Sequence, residues 1–283
     1  MKNVLFSICL TLGCFLVADA QIKTPAPSQG CKIEQSLGLT TVSLDYSRPN
    51  VKGRELFVEV EAWDQMWRTG ANGATKITFG ADATIGGQKV KAGTYSIYSI
   101  PNKTMWTVML NTDLTLGGNV SKYDTANEVA RFTTKTLDSP FFFETLTFDF
   151  ADITNDGASL NLMWGDYMIE MPISLGTDDV VMASIDKALA GTSKEDYYAA
   201  GSYYFANGKD MNKALEYVQK ANETDPKFWQ VFKEAEILAA MGKYKDALMA
   251  SQKSMDLAKA ADYKPYIKRN EDFIKKYAAK GKL

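Results

Sequence analysis

The sequence predicts a multidomain β plus α chain: an antiparallel β sandwich or open barrel over residues 37–176, followed by an α-helical module over residues 177–283. Three observations carry this. Short runs rich in branched and aromatic residues alternate with turn signals as far as Leu175, with no helical period between them. After Gly176-Thr177-Asp178 the apolar spacing changes to three and four residues. Two stretches of the second part then repeat one plan, Asn207-Gly208-Lys209 with Ala214-Leu215 and Met241-Gly242-Lys243 with Ala247-Leu248, offset by 34 and 33 residues.

The amino terminus reads as an export signal. Lys2 is followed by the apolar run Val4 to Val17 and by Ala18-Asp19-Ala20, a small-x-small cleavage pattern. Cleavage is expected after Ala20, giving a product in the periplasm or secreted, with no transmembrane segment remaining. The run is shorter than the ~20 residues that cross a bilayer. A lipid anchor through Cys14 is disfavoured because the apolar run continues past it through Phe15, Leu16 and Val17. Residues 21–36, with Pro25 and Pro27, read as an exposed leader.

Composition narrows the chemistry. A hydrophobic share of 46% in 283 residues builds real cores, and a net charge of -2 lacks the basic excess of a nucleic-acid binder. Cleavage would leave Cys31 alone, without an internal disulfide partner. The chain has no histidine, which removes the usual zinc sets and imidazole-activated nucleophiles. No cofactor, no metal site and no catalytic residue is assigned on this basis.

Candidate strands are 40–46, 55–61, 75–79, 94–100, 105–111, 129–134, 142–150, 159–164 and 167–174, with a hairpin at Gly86-Gly87. Phe142, Glu144, Leu146, Phe148 and Phe150 are expected to share one face. The stretch from Tyr46 to Phe79 places cations among tryptophans and glycines. Arg48, Lys52, Arg54, Trp67, Arg68 and Asn72 are the candidate ligand-binding residues, for a small anion or a glycan. The competing reading pairs Arg68 with Glu59, Glu61 or Asp64. Trp63, Trp67, Trp106 and Trp164, edged by Tyr95 and Tyr98, form either a sugar platform or core. Glu59 and Glu61, two apart on one strand, are the acid and base that a carboxylate-dependent hydrolase would need.

Tyr46-Ser47-Arg48-Pro49, Lys52-Gly53-Arg54, Trp67-Arg68-Thr69-Gly70-Ala71-Asn72, Ala92-Gly93-Thr94-Tyr95-Ser96 and Trp106-Thr107-Val108 resemble the exported bacterial family called domain of unknown function 2911. The resemblance runs from Leu39 to Leu175. It implies export, most often from Bacteroidota, and no established activity. Around Leu116-Gly117-Gly118 the family pattern has a tryptophan before the glycine, which this chain lacks.

In the second part, helices are expected from Asp179 to Gly191 and at 194–206, 211–222, 227–241, 244–260 and 265–280. Ser193 and Asp196 have capping-box spacing, and Asp225-Pro226 reads as a cap with proline in the first turn. This region resembles tetratricopeptide repeats, without the early tryptophan and Leu-Gly pair; the competing reading is a plain helical bundle. The basic end from Lys264 to Lys282 reads as a solvated helix face. The expected function is non-enzymatic binding or scaffolding in the cell envelope, with the helices holding a protein or peptide partner on a concave surface.

Overall fold

A computed structural model describes residues 24–189 and 193–281. The export signal expected at residues 1–20 and the helix stop expected at Gly191 lie outside the described residues. The chain divides between Leu175 and Gly176 into two compact units.

In the first unit, β1 (Gln29–Leu37), β2 (Thr40–Arg48), β3 (Thr75–Phe79), β6 (Gly93–Ile100), β7 (Met105–Asn111) and β8 (Glu128–Lys135) form a six-stranded sheet in the order β1-β2-β3-β6-β7-β8. A second sheet has the order β5-β4-β10-β9, from β4 (Ala83–Ile85), β5 (Gln88–Val90), β9 (Leu137–Ala151) and β10 (Gly157–Ser174). All these pairings are antiparallel, and the sheets are open rather than closed into a barrel. One core lies between them: Leu44, Ile77, Ile97 and Leu110 from the first sheet meet Leu146, Leu160, Leu162 and Ile173 from the second, all buried.

Several expectations need correction. Residues 29–36 are not leader but most of β1, which pairs with β2 along its whole length. Residues 55–61 are not a strand. They form a tight fold-back in which Phe57 N–H donates to the Val60 carbonyl at 2.8 Å, and Phe57 and Glu61 take left-handed backbone angles of 60° and 58°. Glu59 and Glu61 therefore do not share a strand face. The two strands expected at 159–164 and 167–174 are one, β10, in which Gly165 has a φ of 58°. The register shifts on both sides of Gly165, and the extra residues lie in β9, between Thr147 and Phe143 and between Phe143 and Asp138. Leu146, Phe148 and Phe150 therefore enter the core while Phe142 remains exposed.

Phe57 explains why the fold-back is worth its backbone cost. Its ring is 2% exposed and lies 4.3 Å from Trp63, 5.4 Å from Trp106, 5.6 Å from Tyr167 and 6.1 Å from both Trp67 and Trp164. Most of these are edge contacts, the arrangement that ring quadrupoles prefer. A non-glycine residue in the left-handed region costs about 1–2 kcal/mol, whereas burying an aromatic side chain contributes roughly 4 kcal/mol.

The second unit holds α1 (Thr177–Leu189), α2 (Lys194–Ala206), α3 (Met211–Asn222), α4 (Phe228–Ala240), α5 (Tyr244–Ala260) and α6 (Lys264–Tyr277). Each of α2 to α5 packs on the next helix, and α2 with α4 and α4 with α6 also touch. The Ser193 capping box forms, with the Asp196 N–H donating to Ser193 Oγ at 3.1 Å. Gly201 lets α2 and α3 close up, since a Cβ there would lie 2.6 Å from Val218 Cγ2 and 2.8 Å from the Ala214 carbonyl oxygen.

The sequence repeat is also a structural one. Gly208 and Gly242 end α2 and α4 with φ of 62° and 75°, and the following Lys209 and Lys243 N–H groups donate back to Tyr204 O and Leu238 O at 2.8 and 2.9 Å. The α5 end has the same geometry with Asp262 in place of glycine, and Tyr263 N–H donates to Ala258 O at 2.8 Å. Asp225 does not cap α4. Its φ is 44°, and the helix starts at Phe228 after Lys227, whose N–H donates to Gln230 Oε1 at 3.0 Å. Between α5 and α6, Asn270 is fully buried, bonding Ser251 Oγ, Ser254 Oγ and the Tyr266 carbonyl at 2.8–2.9 Å. In α6, Lys268 pairs with Asp272 at 2.6 Å and Arg269 with Glu236 at 3.0 Å.

Candidate functional site

The candidate residues of the β unit are placed by the segment that leaves β2. Arg48 ends that strand and reaches across to β9, donating from Nε to the Leu146 carbonyl at 2.9 Å and from Nη2 to Thr147 Oγ1 at 2.8 Å. The chain then runs along β9. Leu146 N–H donates to the Pro49 carbonyl, and Val51 N–H to the Glu144 carbonyl, at 2.9 and 2.8 Å. Lys52 and Gly53 turn it with φ of 53° and 68°. At that turn the Lys52 N–H donates to Glu144 Oε1 at 2.7 Å. Arg54 closes the same turn, donating to the Val51 and Asn50 carbonyls at 2.9 and 2.7 Å.

Two of the three arginines are thus held by main-chain oxygens, a fate that a sequence does not advertise. Asn72 is also tied down, donating to the Ser28 carbonyl and to Ser47 Oγ at 3.1 Å each. Trp67 is core: it is 2% exposed, stacks on Trp164 at 5.5 Å and donates from Nε1 to the Gly70 carbonyl at 2.9 Å. Trp106 and Trp164 are buried as well, with Tyr95 and Tyr98. These rings offer no open platform for a sugar. Arg48, Arg54, Arg68 and Asn72 share no hydrogen-bond or ion-pair partner among the described residues.

Arg68 is different from the others. Among the described residues the expected ion pair with Glu59, Glu61 or Asp64 does not form; Glu59 accepts from the Glu55 N–H at 2.7 Å and Asp64 from Asn102 Nδ2 at 2.6 Å. The Arg68 guanidinium lies under the 112–127 loop, so close to Gly118 that a Cβ there would stand 2.7 Å from Nη1. Nε is buried and makes no hydrogen bond, as are Ser96 Oγ and the Tyr123 hydroxyl. Nearby, Tyr98 donates to the Gly117 carbonyl at 2.9 Å, and its ring packs 5.0 Å from that of Tyr123.

The electrostatics of this patch follow from burial. Burial raises the Glu61 carboxyl above its ordinary range, with Arg68 opposing. Burial likewise pushes the Tyr123 phenol up to about 12, with Asn111 opposing and Glu128 adding. Asp113 moves the other way, held low by the N–H and hydroxyl of Thr115, each at 2.8 Å. Among the described residues no group of three His, Cys, Asp or Glu side chains is placed to hold a metal ion. None of the helices there is long and apolar enough to cross a membrane.

Open concavities lie away from this patch, two of which bear on function. One of about 600 Å3 on the β unit is lined by Thr134, Lys135, Asp152, Asp156, Glu170 and Pro172 among others, and by no aromatic ring. The second, also of about 600 Å3, lies between α3, α4 and α5. Buried Leu215, Val231 and Leu238 and exposed Met249 line it, together with Glu234, Asp246, Lys243 and Lys253. Glu234 is fixed by Gln219 Nε2 at 3.0 Å and Asn222 Nδ2 at 2.8 Å. Leu215 and Lys243 of this cleft lie in the repeated stretches, whereas Gln219, Val231, Glu234, Leu238, Met249 and Lys253 were not singled out by sequence.

Comparison with curated proteins finds no match. Comparison with solved structures finds none either. The model of one family, described as protein of unknown function (DUF2911), matches residues 28–173, which is the β unit from its first strand to the end of β10. That match spans more than half of the 283 residues, and the chain belongs to the DUF2911 family.

Proposed function

We propose that this chain is an exported, non-enzymatic binding protein of the cell envelope, whose tetratricopeptide-like helical unit holds an extended peptide segment of another protein. The observation that carries this is the cleft between α3, α4 and α5, lined by apolar residues and by charges of both signs, of which Glu234 is fixed by Gln219 and Asn222. Such a surface suits a segment with an apolar anchor and flanking charges, the pattern by which grooves read peptides. The leading pattern of residues 1–20 supports export, and the chain's lack of histidine weighs against hydrolysis by the common routes.

The test uses the whole chain and a displayed random-peptide library. Selected peptides should bind the wild type and lose about tenfold in affinity to Met249→Glu, a residue 64% exposed in the cleft. Peptides that bind both forms equally would place recognition elsewhere.

A second reading concerns a small anion at Arg68, favoured by its buried Nε without a hydrogen bond. Thermal stabilisation by inorganic phosphate or small carboxylates, lost in Arg68→Met, would support it. Equal shifts in both proteins, or none in either, would end it.

A further inference from the structure

β1 is a nine-residue strand at the open edge of the six-stranded sheet, paired on one side only among the described residues. Its hairpin loop to β2 is the two-residue Gly38-Leu39, so Leu37 and Thr40 form the hydrogen-bonded pair that closes it. Counting back by twos, the odd residues bond β2. The even residues Gly30, Lys32, Glu34 and Ser36 thus turn their N–H and C=O groups to the free edge. An unpaired row of this length is a template for another strand unless something blunts it.

We propose that this edge pairs with β1 of a second copy of the chain, antiparallel, about a two-fold axis at Ile33. Charge and register both select this pairing. With the axis at Ile33, Lys32 stands opposite Glu34 of the second copy, and Glu34 opposite its Lys32. Gly30 stands opposite Ser36. Every one of these residues presents outward backbone groups, so the ladder closes without a frustrated position. An axis at Lys32 or at Glu34 sets like charges face to face. An axis at Cys31 puts Gly30 opposite Lys32, and one at Gln35 puts Ser36 opposite Glu34, so neither matches the two charges.

The charge pattern of the sheet already runs this way. Lys32 is opposite Asp45, and Asp45 is opposite Lys76. Glu34 of a second copy extends that alternation by one strand. On the inner face, half-buried Cys31 and Ile33 sit at the margin of the core, and the pairing brings Ile33 against Ile33 to cover it. A lone lysine on an edge normally repels other strands. With Glu34 two residues along, the same lysine selects a copy of itself, as a two-fold interface requires.

Sedimentation velocity on the full chain tests this with Glu34→Lys, Lys32→Glu and their equimolar mixture. The wild type should dimerise, each single variant should dissociate about tenfold more readily, and the mixture should recover the dimer because opposite charges then meet. Glu34 faces Ser43 within its own sheet, so Glu34→Lys leaves the fold undisturbed, whereas Lys32→Glu also meets Asp45 and needs its folding checked by circular dichroism. A wild type that stays monomeric at about 100 µM, or a mixture no more dimeric than its components, would overturn the proposal.

Discussion

Replacing Phe57 by alanine asks how much of the β unit hangs on one inserted ring. Phe57 is 2% exposed and touches five other aromatic rings, so the substitution removes a buried aromatic and leaves a cavity among rigid neighbours. Burial of ~150–200 Å2 at about 25 cal/mol per Å2 gives roughly 4 kcal/mol, within the ~3–5 kcal/mol usual for such truncations. Alanine keeps the left-handed φ of 60°, so that strain is not relieved. Glycine does relieve it. At an ordinary site glycine is worse than alanine by about 0.5–1 kcal/mol; here Phe57→Gly should be no less stable than Phe57→Ala. Urea unfolding followed by tryptophan fluorescence reads this directly, because Trp63, Trp67, Trp106 and Trp164 surround or adjoin the ring. A loss below about 1.5 kcal/mol for Phe57→Ala, or a clear further loss for Phe57→Gly, would refute the plug and the strain argument respectively.

Three other outcomes follow from named contacts. Gly201→Ala puts a Cβ 2.6 Å from Val218 Cγ2 and 2.8 Å from a backbone oxygen; it should destabilise the helical unit by about 1–3 kcal/mol, read as a lower urea midpoint of the helical circular-dichroism signal. Asn270→Leu strands the buried Ser251 hydroxyl beside an oversized apolar group, while Ser254 still donates to the Phe228 carbonyl, and should cost about 2–4 kcal/mol in the same assay, more than Asn270→Ser. Tyr123→Phe removes a buried hydroxyl that meets Asn111 and Glu128 without a well-formed hydrogen bond, and should change stability at neutral pH by no more than ~1 kcal/mol. The folded Tyr123 phenol is held up to about 12, against an ordinary value of 10.0. Its contribution is therefore full below pH 10 and is lost as pH rises from there toward 12, so Tyr123→Phe should flatten the alkaline fall in stability.

Much of the architecture could be read from residue patterns because the forces that set it are local. Alternation placed β2, β3 and β7, the Gly86-Gly87 pair placed the β4 and β5 hairpin, and the apolar period gave α2, α3 and α5 at their observed bounds. The failures have physical causes too. Residues 55–61 alternate like a strand, yet the aromatic cavity takes Phe57 inward and bends the backbone into the left-handed region to do so. β1 hid behind a polar, proline-bearing approach, although Cys31, Ile33 and Leu37 already had the strand period.

The candidate site was less legible for a specific reason. Cation and aromatic types mark where a ligand would be held, but the acceptors of Arg48 and Arg54 are mostly main-chain carbonyls, identical in every residue and silent in the sequence. Arg68 differs from these: Gly118 backbone lies against its guanidinium, and its Nε is buried without a hydrogen bond. The cleft of the helical unit draws on three helices and on residues such as Gln219 and Asp246 that are individually ordinary.

The central claim is that recognition belongs to the helical unit and that the cation-rich stretch of the β unit is scaffold. Site-specific photo-crosslinking in the producing cell compares the two directly, with the crosslinker at Met249 in the cleft or at Val58, which is 59% exposed beside the Phe57 plug. The account predicts a discrete protein adduct from position 249 and none from 58. An adduct from position 58 alone would contradict it.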